Sequence, residues 1–224
     1  VFPGTNCERE TLRAFASVCG VEALPVWHKE RLPEALDLVV VPGGFSYGDY
    51  LRPGAIARFG TVMQDVIAFA HQGGYVLGIC NGFQVLTEAG LLPGALIRNR
   101  NLRFVSTTVP LRVERNDTPW TCRCEPGQIL HIPIAHGDGN WEHHQEDYLL
   151  VEEHRQILLR YEGGNPNGSM GDAAGLMNRA GNVFGLMPHP ERATDDALGS
   201  ADGRLLIESI IEWIRIHHSE QPHD

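Results

Sequence analysis

The sequence predicts an α/β fold, in which a doubly wound, mostly parallel sheet has helices on both faces and an antiparallel extension. Two apolar runs without alternation, LDLVVVPGGF from residue 36 and YVLGIC from residue 75, are typical of strands covered on both faces. Helical patterns follow both runs, and alternating strands and helices favour a parallel sheet with right-handed crossovers. After about residue 95 apolar and polar residues alternate, which is typical of antiparallel or edge strands.

The first half of the chain supplies the predicted parallel part. Its opening stretch, VFPGTNCERETLRAF, runs from the end of a strand through a turn into an amphipathic helix capped by Thr5 or Asn6. Strand and helix patterns then alternate until Pro93 and Gly94 end a helix. The expected elements in between are a short strand near residues 24–27, a central parallel strand through residues 39–41, a helix over residues 53–72, a strand over residues 75–80 and a helix over residues 81–92.

The second half supplies the predicted antiparallel extension and a closing helix. FVSTTVPLRVER and GQILHIPIAH alternate, and AAGLMN with NVFGLMPH is typical of a strand pair joined by the turn RAGN. A final helix is expected over residues 202–217. No linker, low-complexity tract or internal repeat is visible, so we expect one domain over residues 1–224. Because VFPG resembles the tail of a strand, we expect a few residues of that strand to be missing from the sequence.

Composition excludes several classes of function. The formal net charge of −10, without a basic cluster, disfavours binding to nucleic acid, and no apolar run is long enough to span a bilayer. Five scattered cysteines are typical of thiols in a reducing compartment, so the expected location is cytoplasmic. Cys122 and Cys124 have the wrong spacing for a zinc knuckle, and no metal site is predicted.

Cys80 is the candidate nucleophile. It ends an apolar strand, Gly82 permits a sharp turn behind it, and a helix begins at once. The positive end of that helix would favour a thiolate and stabilise a developing oxyanion. The alternative is a buried cysteine that acts only as a small apolar residue.

A base and an orienting group are available in GLMPHPER. His189 follows an apolar strand between two prolines, and Glu191 stands two residues later. In an extended segment both side chains point to one side, so the carboxylate can hold the imidazole in the tautomer that accepts a thiol proton. Taken alone this segment is more typical of a turn with an exposed histidine and glutamate, but together with Cys80 it predicts a catalytic triad.

The glycine pair of VVVPGGF supplies a third element. Gly43 and Gly44 follow a strand, and this pair can supply one backbone N–H of an oxyanion hole, with the N–H of Asn81 as the other. A plain glycine turn is the alternative. The chain contains no G-x-x-x-x-G-K-[ST] phosphate loop.

In their order and relative positions, PGGF, GICNGFQ and PHPE resemble the class I (triad) glutamine amidotransferases, whose fold is flavodoxin-like. The resemblance covers nearly the whole chain. Five longer segments are similar to the glutaminase subunits of phosphoribosylformylglycinamidine synthases: VFPGTNCERE, PGGFSYGDYLRPGAIAR, GICNGFQVL, IPIAHGDGN and GLMPHPER.

The resemblance implies that Cys80 attacks the side-chain amide of glutamine and forms a γ-glutamyl thioester. His189 then moves the proton and Glu191 orients His189. It further places Gly43, Phe45 and Gln84 at the substrate, although Phe45 could instead only pack. The segment HGDGN, residues 136–140, is expected either to shape the pocket or sense a partner, or to be a solvated loop.

The implied partner is a large synthase subunit that uses ammonia, ATP and Mg²⁺ to convert formylglycinamide ribonucleotide to formylglycinamidine ribonucleotide in purine biosynthesis. A small third subunit is also implied, and no cofactor is expected on this chain. The alternatives are an amidotransferase of the same class that serves another synthase, a cysteine hydrolase with its base elsewhere, and a catalytically silent glutamine-binding regulatory subunit.

Overall fold

The computed structural model describes residues 1–219. Within them lie nine strands: Leu38–Val41 (β1), Tyr75–Ile79 (β2), Ala95–Ile97 (β3), Val105–Val113 (β4), Ile129–His136 (β5), Asn140–Glu142 (β6), Ile157–Tyr161 (β7), Ala173–Met177 (β8) and Val183–Leu186 (β9). The α-helices of the same residues are Glu8–Leu12 (α1), Thr61–His71 (α2), Asn81–Glu88 (α3), Gln145–Glu153 (α4) and Gly203–Ser219 (α5), and a π-helical turn over Arg13–Val18 continues α1.

Seven of the strands form one sheet in the order β1-β2-β9-β8-β7-β4-β5, and β3 pairs with β6 apart from it. The ladders β1-β2 and β2-β9 are parallel, and the ladders from β9 through β8, β7 and β4 to β5 are antiparallel. The predicted α/β fold with a parallel sheet and an antiparallel extension is confirmed. The predicted strand pair joined by RAGN is also confirmed, as β8 and β9.

Several details of the first half differ from the prediction. The N-cap position of α1 is occupied by Cys7 rather than by Thr5 or Asn6, and no side chain caps this helix. The strand β1 lies at the end of the sheet order, whereas a central position was predicted. An unbroken apolar run indicates that both faces of a strand are buried, but it does not indicate the position of the strand in the sheet. Residues 24–27 form no ladder; the backbone of this segment instead exchanges hydrogen bonds with Val1, from Val1 N to Val26 O and from His28 N to Val1 O (2.8 and 2.9 Å).

The helix predicted over residues 53–72 begins only at Thr61, after turns and a short 3₁₀ segment. Gly54 breaks the pattern, because its φ of +79° lies in the left-handed region. The backbone here passes close over α3: a Cβ on Gly54 would lie 2.7 Å from the backbone nitrogen of Val85.

The parallel register brings three strand ends to one edge of the sheet. Val41 of β1 is level with Gly78 of β2, and Gly78 is level with Gly185 of β9. The backbone N–H of Cys80 continues the ladder by donating to Leu186 O (2.8 Å). The segments that follow β1, β2 and β9 therefore meet at this edge.

One contiguous apolar core extends along the chain from Phe2 to Ile214 and includes residues of every large element. This is what the single-domain prediction requires, although the domain boundaries themselves stay a prediction. None of the helices in residues 1–219 has the length and apolar character needed to cross a membrane.

Candidate active site

Cys80 occupies a strained turn between β2 and α3. Its φ and ψ of 51° and −106° are unfavourable for any residue with a Cβ, and this is the backbone conformation expected of a nucleophile elbow. Two glycines make the turn possible. A Cβ on Gly82 would overlap the carbonyl oxygen of Val41, and one on Gly78 would lie 2.7 Å from the carbonyl carbon of Gly82.

His189 and Glu191 form a buried pair beside this turn. Nδ1 of His189 lies 2.6 Å from Oε1 of Glu191, and both side chains are at most 3% exposed. The backbone N–H of His189 donates to Pro133 O (2.8 Å), which fixes the segment against β5. Since a carboxylate can only accept, Nδ1 donates, and Nε2 is left buried without a hydrogen-bond partner among the described residues.

The electrostatics of the pair favour a protonated imidazole. Burial by itself would lower the pKa of His189, but the Glu191 carboxylate and the neighbouring sulfur atoms of Cys80 and Cys7 raise that pKa well above its ordinary value. His189 is therefore suited to hold a proton next to the sulfur of Cys80 and to release it to a basic leaving group.

Two backbone N–H groups near the nucleophile are available to a ligand. Asn81 is the first residue of α3, so its N–H has no acceptor within the helix. Gly44 lines the same cavity as Cys80, whereas the N–H of the next residue, Phe45, is already donated to Gly4 O (3.0 Å). The arrangement can therefore offer the amides of Gly44 and Asn81 to an oxyanion.

The Asn81 side chain connects this turn to its surroundings. Its Oδ1 accepts from the backbone of Ser46 (3.1 Å), and its Nδ2 donates to Oε1 of Gln84 (2.8 Å). Gln84 in turn donates to the carbonyl of Asp138 (2.6 Å). The loops after β1 and β5 are thus attached to the first turn of α3.

A cavity of about 200 Å³ opens above Cys80. Its walls carry apolar, acidic and basic groups, contributed by Gly44, Phe45, Asp49, Cys80, Gln84, Arg98, Leu102, Arg103, Phe104 and residues 135–138. A larger cavity of about 480 Å³ lies among β1, α2 and α5, but no predicted site residue lines it. The smaller cavity is therefore the candidate substrate site, because the predicted site residues line it.

The structure brings the predicted site residues together at this edge. Of the three residues predicted to contact the substrate, Phe45 and Gln84 occupy positions that limit this contact. Gly43 belongs to the site through its missing side chain, since a Cβ there would lie 2.9 Å from Cε1 of His189. Phe45 is 45% exposed at the cavity mouth. The Gln84 side chain lines the cavity, but both ends of its amide are already hydrogen-bonded.

Sequence reasoning missed Cys7. Its buried sulfur accepts a hydrogen bond from Arg192 (3.0 Å) and is a neighbour of His189. Ligand atoms of Cys7, His189 and Glu191 lie within 4.8 Å of one another, a spacing that a metal ion can use. The guanidinium on the sulfur and the hydrogen bond between His189 and Glu191 both disfavour a cation there. The available signal was that Cys7, like Gly43, follows a segment that the sequence predicts to end a strand.

Sequence reasoning also gave no role to Asp49, whose φ is +53° in the loop after β1. Burial, and then the nearby charge of Asp138, raise the pKa of Asp49 to about 6. His136 of the HGDGN segment is buried, with Nδ1 3.2 Å from Oδ1 of Asn99. Burial, and then His189, lower the pKa of His136 to about 4, so this imidazole is neutral at pH 7. HGDGN therefore contributes cavity wall rather than a solvated loop.

Comparisons with known proteins show which family and fold the chain shares. The model of the CobB/CobQ-like glutamine amidotransferase domain matches residues 1–220. The chain is 56% identical over 212 residues to phosphoribosylformylglycinamidine synthase subunit PurQ of Synechococcus elongatus, covering 95% of this chain and 96% of the relative. It is 53% identical over 219 residues to PurQ of Gloeobacter violaceus, covering 94% of each chain.

Among solved structures, that of PurLQS from Thermotoga maritima superposes with a TM-score of 0.88 at 42% identity and covers 96% of both chains. A glutamine amidotransferase from the same organism gives a TM-score of 0.52 at 19% identity, over 95% of this chain and 86% of that one. The second likeness concerns the fold alone.

Proposed function

Because this chain belongs to the CobB/CobQ-like family of class I glutamine amidotransferases, we propose that it is the glutaminase subunit of a phosphoribosylformylglycinamidine synthase. The proposed net reaction is hydrolysis of glutamine to glutamate and ammonia. The ammonia is consumed by a partner synthase subunit, which converts formylglycinamide ribonucleotide to formylglycinamidine ribonucleotide.

In the first step Sγ of Cys80 attacks the carbon of the glutamine side-chain amide. The amide oxygen becomes an oxyanion that accepts hydrogen bonds from the N–H groups of Gly44 and Asn81. His189 takes up the thiol proton and delivers one to the amide nitrogen, so that ammonia leaves and a γ-glutamyl thioester remains. The charge of Glu191 stabilises the imidazolium throughout.

In the second step a water molecule attacks the thioester. His189 accepts a proton from this water, and the same two N–H groups hold the second oxyanion. The C–S bond then breaks as His189 returns the proton to Sγ of Cys80, which releases glutamate and restores the thiol.

The proposed assembly has a large synthase subunit, which holds ATP and Mg²⁺, and a small third subunit. This chain supplies no phosphate loop, and we assign it no cofactor and no resident metal. We propose a cytoplasmic location, in keeping with the cysteine content and a purine-pathway role.

One observation carries this proposal most strongly. A cysteine with a φ of +51° at the start of a helix faces a cavity next to a His-Glu pair with a 2.6 Å hydrogen bond. The backbone strain at Cys80 and the burial of His189 and Glu191 both lower the stability of the fold. Their occurrence together is explained if all three residues take part in catalysis.

The test is peptide mass mapping after treatment with an electrophilic glutamine analogue, on the chain alone and on the chain with its synthase subunit. We expect labelling of Cys80 that excess glutamine suppresses, since the thiol and its cavity recognise glutamine. Cys122, which is partly exposed and remote from the cavity, serves as the reactivity control. If Cys80 stays unlabelled under both conditions, the proposal is wrong.

A further inference from the structure

Cys7 is a buried thiol next to the catalytic pair, and the proposed mechanism gives it no role. Its side chain is buried, and its sulfur lies within 4.8 Å of a ring nitrogen of His189 and of a carboxylate oxygen of Glu191. A Cβ on Gly43 would lie 3.1 Å from this sulfur, 2.9 Å from Cε1 of His189 and 3.5 Å from Cβ of Cys80. The sulfur of Cys7 and both reacting side chains therefore border the space that Gly43 leaves open.

Hydrogen bonds hold the sulfur of Cys7 in place. The Cys7 carbonyl accepts from the backbone N–H and the hydroxyl of Thr11 (3.0 and 2.8 Å), which fixes its backbone. The thiol donates to Oδ1 of Asn6 (3.2 Å), and the sulfur accepts from Nη2 of Arg192 (3.0 Å). Because a thiol sulfur has two lone pairs, one of them stays available to His189.

His189 needs an acceptor at Nε2 whenever it is protonated. Nδ1 donates to Glu191, and Nε2 has no hydrogen-bond partner among the described residues. The neighbouring His136 supplies no charge at pH 7, because burial, and then His189, lower its pKa to about 4. Within the described part of the chain, the sulfur atoms of Cys80 and Cys7 are thus the groups left to stabilise a proton on Nε2.

The sulfur of Cys80 cannot serve this purpose throughout the proposed reaction. In both oxyanion intermediates His189 is protonated while Sγ of Cys80 is bonded to carbon, so the thiolate charge beside Nε2 has disappeared. The sulfur of Cys7 takes no part in bond formation. Its interaction with the imidazolium therefore persists through both steps.

We propose that Cys7 is a positioning residue, whose sulfur stabilises the Nε2–H of the His189 imidazolium in both oxyanion intermediates. Arg192 acts by holding this sulfur in place. The inference rests on the proposed function and adds to it a side chain that acts on His189 and does not contact the substrate. In keeping with this role, Cys7 does not line the cavity above Cys80.

The test compares Cys7→Ala, which removes the acceptor, with Cys7→Ser, which keeps an acceptor of nearly the same size. Glutamine turnover is measured for each variant in complex with the synthase subunit. For Cys7→Ala we expect kcat to fall about 10-fold with KM little changed, because the lost interaction involves the imidazolium and not the substrate. Cys7→Ser should stay within about 3-fold of the unaltered chain.

The pH profile distinguishes this role from a merely structural one. Burial lowers the pKa of His189, whereas Glu191 and the sulfur atoms of Cys80 and Cys7 raise it. Removing the sulfur of Cys7 should lower this pKa, so that the proton needed for release of ammonia is lost at a lower pH. We expect the alkaline limb of kcat/KM to move down by about half a pH unit or more in Cys7→Ala and to stay in place in Cys7→Ser.

Alkylation of Cys80 by iodoacetamide is a second readout, and it requires no glutamine. An imidazolium beside a cysteine favours the reactive thiolate. We therefore expect Cys7→Ala to slow the alkylation of Cys80 about 3- to 10-fold at pH 7. Peptide mass mapping of the chain alone measures the rate at Cys80 separately from the rates at the other cysteines.

Cys124→Ala is the matched control, because Cys124 and Cys7 are both 2% exposed and neither lines the cavity. It should leave kcat, the alkaline limb and the alkylation rate unchanged, and thermal unfolding checks that every variant folds. If glutamine is turned over but Cys7→Ala keeps all three values, the inference is wrong and the proposed function stands. The same conclusion follows if Cys7→Ser loses as much activity as Cys7→Ala. If the unaltered complex turns over no glutamine, the proposed function fails and the inference fails with it.

Discussion

At the scale of single residues, the site combines groups that are costly to bury with the partners that make burial tolerable. The His189 imidazole and the Glu191 carboxylate are almost fully buried and hydrogen-bond to each other. Asp49 differs, because its neighbour Asp138 has the same charge and no described cation compensates it. An uncompensated charge of this kind lowers stability and is expected where a ligand completes the site.

Asp49 gives a prediction about stability and pH. The pKa of Asp49 is about 6 in the folded chain against an ordinary value of 3.8, so ionisation in the folded state opposes folding. We expect Asp49→Asn to raise the melting temperature at about pH 8, where the carboxylate is charged, and to lose this advantage below about pH 4, where Asp49 is neutral in both states. Because Asp49 is only half-buried, solvent screening limits the gain to about 1 kcal/mol or less.

Thermal unfolding at both pH values checks this, with Asp196→Asn as the exposed control. A melting temperature of Asp49→Asn that equals that of the unaltered chain at about pH 8 would contradict the assignment of an uncompensated charge.

At the scale of elements, the connection from β2 to α3 decides the direction in which the nucleophile points. Cys80 reaches the cavity only because the backbone reverses sharply, and the reversal places Gly82 against the carbonyl of Val41 in β1. The same close approach brings the end of β1, with Gly43 and Gly44, next to Cys80. Position 82 must therefore be a small residue, both because the turn is sharp and because β1 packs against it.

Gly82→Ala tests this packing. A methyl group at this position would overlap the Val41 carbonyl, and a backbone atom in a parallel ladder has little room to move. We expect a loss of about 3 kcal/mol or more in the free energy of unfolding, measured in denaturant.

Gly127→Ala provides the comparison. Gly127 has a φ of +82° but open space around it, so only the cost of the left-handed conformation, about 1–2 kcal/mol, should appear. Equal losses in the two variants would contradict the argument from close approach.

At the scale of the whole molecule, the sheet brings together groups that are 109 residues apart in the chain, Cys80 and His189. Parallel ladders between β1, β2 and β9 align their carboxyl ends, and the antiparallel extension adds β5, whose end supplies His136 and Asp138 to the cavity. The extension thus supplies one wall of the cavity, with Ala135 O of β5 3.8 Å from Sγ of Cys80. The large apolar core shared by both parts keeps this geometry fixed.

The proposed division of labour between subunits predicts the behaviour of the complex. With Cys80→Ser in this chain, the synthase reaction should stop with glutamine but continue with ammonium salts, because only the source of ammonia is lost. Formation of the amidine product with each nitrogen donor is the measurement, and Cys122→Ser is the matched control. Undiminished use of glutamine by the Cys80→Ser complex would show that ammonia comes from elsewhere.

The fold class and the identity of the candidate triad could be predicted from the sequence. Both depend on local patterns: apolar runs, glycines behind a cysteine, and a histidine and a carboxylate two residues apart. The same patterns could not predict where the helix after Gly54 begins, or that β1 ends the sheet order, because close backbone contacts and pairing partners come from distant residues.

Which charges face Cys80 depends on the tertiary structure. Asp49, the pair Arg98 and Arg103, and Asp138 come from three separate loops, and no local pattern connects the three. The same holds for Cys7, which lies beside His189 although 182 residues separate them in the chain. Spacing in a sequence predicts neighbours along one strand or helix, whereas the walls of a cavity are set by how the strand ends converge.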